Sequence, residues 1–326
     1  MIVTLTVNPA LDKTIELGEP LSHGSVQRAK ASHVQAAGKG VNVSRAIAAA
    51  GVQTLAVLPG ASTDPLITAL ALDQLAHRSL SIDEPLRTNI TLTDPDGTTT
   101  KINEPGPTLD AAQLEALSQL VADAAAGAQW LVLAGSLPPG VPADFYAQLT
   151  AQLRASLGEK CPKIAVDTSG APLIELFAHS EQHIPDLIKP NAEELAELVG
   201  DCDEEALEGS TQLATECATK LLEKGIGAVL ATLGSKGALL VTKQGVWYGS
   251  HTPITPRSTV GAGDSSLAGY LLADVAGASA PDRLKNAVAY GAAATQLPGS
   301  SIPTQADLTV DAVSVNELFS TQGTES

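Results

Sequence analysis

Short apolar runs recur along the chain with turn residues at their ends: Ile2–Val7, Thr54–Leu58, Trp130–Ala134, Lys163–Asp167, Asp186–Ile188 and Ala228–Thr232. Continuous rather than alternating apolar character predicts strands covered on both faces. Between them lie stretches with helical spacing. Val41–Gly51 is alanine-rich and stops at a glycine, Asp110–Ala124 opens on a capping Asp, and Ala192–Leu198, Ser210–Glu223, Gly263–Val275 and Pro281–Ala294 follow. This alternation predicts βαβ units around a mostly parallel sheet, a layered α/β domain.

Two stretches break the rhythm. Leu11–Leu17 with Val26–Val34, and Arg87–Thr93 with Thr99–Asn103, read as paired strands, the second pair joined by the turn Asp94-Pro95-Asp96-Gly97. They suggest one small β sheet built from two excursions of the chain, projecting as a lid; additional edge strands on the main sheet are the alternative. The expected organisation is a main α/β domain of residues 1–10, 36–86 and 104–320, with a discontinuous lid of 11–35 and 87–103. The last residues, Thr321–Ser326, are expected to fray.

Charge narrows the partners. The 326 residues include 36 acidic and 19 basic side chains, a formal charge of −17. Nucleic acid is therefore not an expected partner, because its affinity comes from Lys and Arg neutralising phosphates. A small anion remains possible where a few cations converge. The cysteines Cys161, Cys202 and Cys217 form no metal-binding spacing. The opening residues lack the basic and long apolar runs of a signal peptide, and no segment reaches membrane-spanning length, so a soluble cytoplasmic protein is expected.

Candidate chemistry sits at two glycine-rich helix starts. In Thr259-Val260-Gly261-Ala262-Gly263-Asp264, glycines let backbone N–H groups approach a ligand, and the helix start favours phosphate oxygens. Asp264 then suits a base that takes a hydroxyl proton, although an Asp here would equally serve as a plain helix cap. The second start, Ala37-Gly38-Lys39-Gly40-Val41-Asn42, matches neither the Walker loop nor the dinucleotide fingerprint. It suits a phosphorylated polyol, with Asn42 on hydroxyls and Lys39 supplying charge.

These two clusters, with Asn8-Pro9-Ala10-Leu11-Asp12, Gly135-Ser136-Leu137-Pro138-Pro139-Gly140, Lys189-Pro190-Asn191-Ala192-Glu193-Glu194 and Thr232-Leu233-Gly234-Ser235-Lys236-Gly237, resemble the ribokinase-like carbohydrate kinases of the PfkB family over essentially the whole chain. Arg87-Thr88-Asn89 and Lys101-Ile102-Asn103-Glu104-Pro105-Gly106 resemble its phosphosugar branch. Ala37 stands where many members carry a further glycine.

The resemblance implies a three-layer α/β/α domain with a β lid, and ATP-dependent phosphorylation of fructose 1-phosphate or a related phosphosugar. It implies Asp264 as catalytic base, with Gly261, Ala262 and Gly263 as the anion hole. Asp12, Gly38 and Asn42 would grip the sugar, Lys39, Arg28 and Arg87 its phosphate, and Asn89, Asn103 and Ser136 would add neutral hydrogen bonds. Asn191 and Glu194 would organise Mg2+ through water, with Asp167 able to join them. Lys189, Asn191, Thr232, Gly234, Ser235 and Gly237 would shape the ATP site, and Asn286 and Gly291 flank the adenine. A homodimer through the lid is a further expectation.

Overall fold

The computed structural model describes residues 1–320; the Thr321–Ser326 tail lies outside the described residues. In chain order the strands are β1 (Ile2–Leu5), β2 (Ala10–Leu17), β3 (Ala29–Ala37), β4 (Thr54–Pro59), β5 (His77–Leu80), β6 (Arg87–Thr93), β7 (Thr99–Asn103), β8 (Trp130–Ala134), β9 (Lys163–Asp167), β10 (Leu187–Ile188), β11 (Ala228–Thr232), β12 (Ala238–Thr242), β13 (Gly245–His251) and β14 (Val313–Ser320). The helices are α1 (Lys39–Ala49), α2 (Pro65–Leu72), α3 (Ala111–Ala125), α4 (Phe145–Leu157), α5 (Ala171–Ile174), α6 (Ala192–Val199), α7 (Glu204–Gly209), α8 (Thr211–Glu223), α9 (Ala262–Val275) and α10 (Ala280–Thr295).

Ten strands form one sheet in the order β14-β13-β12-β11-β10-β9-β8-β1-β4-β5. It is parallel from β5 to β11 and antiparallel from β11 to β14. Every residue of β1 and β8 is buried, as their unbroken apolar runs require. Side chains alternate between two cores. Val3, Leu5, Leu131 and Leu133 join Leu117, Val121, Leu149 and Leu153 of α3 and α4, while Ile2, Val132 and Ala134 join Val43, Ile47, Leu267, Leu271 and Leu284 of α1, α9 and α10. The result is a three-layer α/β/α arrangement.

The four remaining strands make a second sheet, ordered β3-β2-β6-β7. None of them pairs with the main sheet, so they are not its edge strands. Each excursion forms an antiparallel pair, and the two join through a parallel contact between β2 and β6 that sets Asp12 opposite Asn89. Asp94, in the turn of the second pair, accepts a 3.0 Å bond from the Leu21 amide and ties the two excursions at their far end. Strand β3 begins at Ala29 rather than at Val26. Its partner β2 ends at Leu17, paired with Ala29, so residues before Ala29 have no strand to join, and Val26 is fully exposed.

The periodicity missed the β12–β13 hairpin, β5 and β14, together with α2 and α4. Strand β14 alternates apolar and polar residues only over Val313–Asn316, along a sheet edge, a weaker signal than a doubly covered run.

Helix α1 sits close to the sheet. Ser44 Oγ lies 2.9 Å from both Thr4 Oγ1 and Thr54 Oγ1, a buried hydroxyl chain from α1 to β1 and β4. One turn earlier, a Cβ on Gly40 would stand 2.5 Å from Thr6 Oγ1 and 2.9 Å from the Leu5 carbonyl oxygen. The backbone of α1 therefore has no room to accept a side chain there. Gly40→Ala is expected to destabilise the fold by about 1–3 kcal/mol through overpacking; an unchanged midpoint in urea denaturation would refute the tight approach.

Candidate functional site

The two glycine-rich helix starts meet. Helix α9 begins from Gly261, whose φ of 76° is left-handed and which has no side chain to cap the helix. Helix α1 begins from Gly38, φ 124°, also without a side-chain cap. Both starts therefore leave backbone donors for a ligand. Asp264 is not a cap: it lies within the first turn of α9, buried, and its Oδ2 accepts a 2.8 Å bond from Asn42 Nδ2. Asn42 Oδ1 is buried without a partner, a free acceptor beside the carboxylate.

Beneath them lies a charged cluster. Asp167, the last residue of β9, is buried; its Oδ1 is 2.7 Å from Lys39 Nζ and its Oδ2 3.3 Å from Lys189 Nζ. Lys39 Nζ is also 3.8 Å from Glu194 Oε1. Lys189 is nearly as buried as Asp167, and a Cβ on Gly263 would come within 3.0 Å of its Nζ. Glycine at 263 thus lets an ammonium group stand against the positive end of α9. That position is unfavourable for a cation unless a carboxylate holds it and an anion is due to arrive. A cavity of about 270 Å³ opens over the cluster, lined by Lys39, Lys189, Asn191, Glu194, Thr232, Gly261, Gly263 and Asp264.

The protonation states follow from these neighbours. Burial raises the Asp264 carboxyl to about 6, with repulsion from Asp167 adding to the shift and the Asn42 bond, Lys39 and Lys189 opposing it. Burial would also raise Asp167, but Lys189 and Lys39 outweigh it and hold its carboxyl below the ordinary value. Burial works against the Lys39 charge, yet Asp167 and Glu194 raise its ammonium above its usual value. One carboxylate serves as counter-ion and another is left basic.

A second polar group lies on the small four-stranded sheet. Asn89 Nδ2 donates to Asp12 Oδ1 at 3.0 Å. Arg87 donates to the carbonyls of Asn8 and Glu104, each at 3.1 Å, while its Nε is buried without a partner. Burial raises the Asp12 carboxyl, partly offset by the Asn89 bond, Arg87 and Lys101. Asn103 pairs with Asn89 across β6 and β7 but is exposed. Ser136 is exposed and accepts a 3.4 Å bond from Asn8 Nδ2.

The proposed phosphate group of Lys39, Arg28 and Arg87 does not assemble. Lys39 belongs with Asp167 and Lys189, because β9 and β10 end beneath the start of α1, whereas Arg87 stays at the root of the lid. Arg28 is exposed just before β3. Sequence reasoning gave Asp167 only a place near a metal and gave Asn8 no role. The available signals were a carboxylate ending an apolar strand run and an Asn just beyond the first one.

On the other side, Asn191 and Glu194 form a reciprocal capping box at the start of α6. Glu194 N donates to Asn191 Oδ1 at 2.7 Å and Asn191 N to Glu194 Oε2 at 2.9 Å. Among the described residues no group of three acidic, His or Cys side chains is arranged to hold a metal directly. The donor set suits a cation that arrives on phosphates and keeps its water, with Glu194 on the cavity wall and its Oε1, outside the capping box, 3.8 Å from Lys39 Nζ. Thr232 bridges Asn191 at the end of β11, and Gly234 and Ser235 follow in an exposed turn that Gly237, φ 120°, closes. Asn286 Nδ2 donates to the Gly269 carbonyl at 2.6 Å, and Gly291 lies against Ser266 and the Ala262 carbonyl, so both seat α10 on α9.

Uncapped helix starts, paired lysines and a basic carboxylate, with a small polar second sheet, define a phosphoryl-transfer enzyme with a ribokinase-like fold. Residues 6–307 match the pfkB family carbohydrate kinase, and the chain belongs to that family. A 1-phosphofructokinase of Haloferax volcanii is 35% identical over 311 residues, 94% of this chain and 95% of the relative. An ATP-dependent 6-phosphofructokinase isozyme 2 of Mycobacterium tuberculosis is 34% identical over 309 residues, 92% of this chain and 85% of the relative. The crystal structure of phosphofructokinase-2 from Escherichia coli in complex with substrates and products superposes with a TM-score of 0.82 at 29% identity, covering 94% of this chain and 96% of that one.

Because the folded Asp264 carboxyl titrates near 6 against an ordinary value of 3.8, its contribution to stability is complete below pH 3.8 and is lost as pH rises through 6. Asp264→Asn removes that penalty. At pH 7–8 the variant is expected to be more stable than the unsubstituted chain by up to about 3 kcal/mol, the gain vanishing toward pH 4. Denaturant midpoints across this range measure it, and a less stable variant at pH 8 would contradict the buried-charge account.

Proposed function

We propose that this chain transfers the γ-phosphoryl group of ATP to the C6 hydroxyl of D-fructose 1-phosphate, giving fructose 1,6-bisphosphate and ADP. The observation that carries this reading is the 2.8 Å bond from Asn42 to Asp264, which joins the polyol-facing helix start to the phosphate-facing one.

Asp264 takes the proton of the attacking hydroxyl, and Asn42 Oδ1 accepts from a neighbouring hydroxyl while its Nδ2 aims the base. The backbone of Gly261, Ala262 and Gly263 meets the transferring group, with Lys189 and Lys39 adding charge from below. As phosphate oxygens enter, Asp167 keeps both lysines in place and prevents them from repelling each other. Asp12, Asn89 and Gly38 face the sugar, and Asn103 and Ser136 lie at its margin. Arg87, with its free Nε, takes the existing phosphate, assisted by Lys101 and by Arg28 when the lid closes. Thr232, Gly234, Ser235 and Gly237 line the nucleotide, whose adenine lies toward the α9–α10 seam held by Asn286 and Gly291. Mg2+, when bound, neutralises β,γ-phosphate charge, and Glu194 and Asn191 are the residues that would hold its water shell.

Residues 11–35 and 87–103 act in this reading as a lid that excludes water from the transfer. Val26, Val34 and Ile102 are exposed on it, which supports a second copy of the chain as the partner covering that face. No helix among the described residues is long and apolar enough to cross a membrane.

Transfer to fructose 6-phosphate is the second reading, favoured by the similarity to the mycobacterial isozyme; tagatose 6-phosphate is a further acceptor to distinguish. Assays with ATP, Mg2+ and fructose 1-phosphate, fructose 6-phosphate, tagatose 6-phosphate or ribose should give the highest kcat/KM with fructose 1-phosphate. A preference for another sugar reassigns the acceptor. Asp264→Asn should cut kcat by about 10²–10⁴ with sugar affinity nearly intact, and retained turnover would remove Asp264 as the base. For the unsubstituted enzyme, kcat/KM should fall on the acid side through pH 6, the deprotonated carboxyl being the active form; a flat profile between pH 5 and 7 would contradict this.

A further inference from the structure

Away from the site, Cys202 and Cys217 stand with their Sγ atoms 3.6 Å apart. Cys202 lies in the connector between α6 and α7, and Cys217 is buried on α8, packed in the core. Neither takes part in the phosphoryl-transfer chemistry. A second contact holds the same two segments: Asp201, the residue before Cys202, pairs with Lys220, one turn beyond Cys217, at 3.4 Å. The buried Cys217 thus presents its sulfur to a partner that is itself only partly buried.

We propose that Cys202 and Cys217 form a redox-modifiable dithiol, oxidised by a peroxide to an intramolecular disulfide within the folded protein. Cys202, partly exposed, is the sulfur that meets the oxidant. Its thiolate attacks one peroxide oxygen and the O–O bond breaks, giving a sulfenic acid and, after protonation, water. The Cys217 sulfur then attacks the sulfenic sulfur, its thiol proton leaving with the hydroxyl as a second water. The sum is two thiols and one hydrogen peroxide giving one disulfide and two waters; the sulfurs are oxidised and the peroxide oxygens reduced. Burial, reinforced by the hydrogen bond with Cys202, pushes the Cys217 thiol up to about 11, which suits the resolving rather than the attacking partner. Closing the pair needs the sulfurs to approach by about 1.5 Å, from contact to bonding distance. The connector is exposed except at Cys202 and ends at the short helix α7, so it is the side that moves.

The disulfide ties the connector to α8. Helix α7, which follows directly, brings Glu208 against Gly234, where a Cβ on the glycine would collide with its carboxylate. The tie therefore fixes one wall of the turn at Gly234–Lys236.

Treatment of the folded chain with hydrogen peroxide, followed by thiol counting in denaturant and intact mass, tests the proposal. The three thiols should fall to one, the mass should drop by two hydrogens, a digest should yield a Cys202–Cys217 cross-linked peptide, and dithiothreitol should reverse all three. The oxidised form should also melt at a higher temperature. Cys202→Ser should abolish the cross-link, and Cys161→Ser should leave it intact. Cross-links between molecules, sulfinic acid at Cys202 with Cys217 still free, or bridging seen only in denaturant would each overturn the proposal.

Discussion

A carboxylate with no contact with water, held between two ammonium groups, is the constraint on which the rest of the site depends. Asp167 ends a strand in the middle of the sheet, and its charge persists there because Lys39 and Lys189 lie within bonding distance. The dependence runs both ways. Without Asp167 the two lysines would repel each other, and Lys189 would not stand against the positive end of α9. The cluster also sets the behaviour of Asp264, since the Asp167 charge helps keep the neighbouring carboxyl reluctant to ionise. Electrostatic stress is thus concentrated at the point where a highly charged ligand would relieve it.

The backbone around this cluster is shaped to match. Glycines at 40 and 263 bring α1 against β1 and α9 against Lys189, so two helix starts converge on one cavity. Asn42 and Asp264 lie 222 positions apart in the chain, and their hydrogen bond is the point where those two starts meet. Close backbone approach, rather than a long list of side chains, carries the geometry.

Much of this was legible in the sequence because it rests on local signals. Strands β8, β9 and β11 coincide with their apolar runs, and the glycine-rich starts fall at α1 and α9 as expected. The lid strands were visible as pairs because each excursion is a local antiparallel unit. What could not be read is what depends on long-range meeting. Lys39 was grouped with Arg87 by resemblance and by its place beside the small sheet, but the ends of β9 and β10 bring it to Asp167 instead. Asn191 and Glu194 show how one spacing serves two purposes: the capping box is formed, and the other Glu194 oxygen lies 3.8 Å from Lys39 Nζ at the cavity. At the antiparallel end of the sheet, β14 was hidden because it is a mostly exposed edge with no continuous apolar run, whereas β12, Ala238–Thr242, carries a buried apolar run that the reading passed over.

The parallel contact between β2 and β6 also bears on how the chain assembles. A parallel pair cannot close through a tight turn, and here the crossover contains α1, β4, α2 and β5, all of them parts of the main body. The small sheet therefore cannot exist as an independent folding unit. Its central pairing is non-local, bridged by chain that belongs to the main body, so closing it carries the entropy of ordering that body, and loss of β4 from its place beside β1 would loosen the register of β6 against β2.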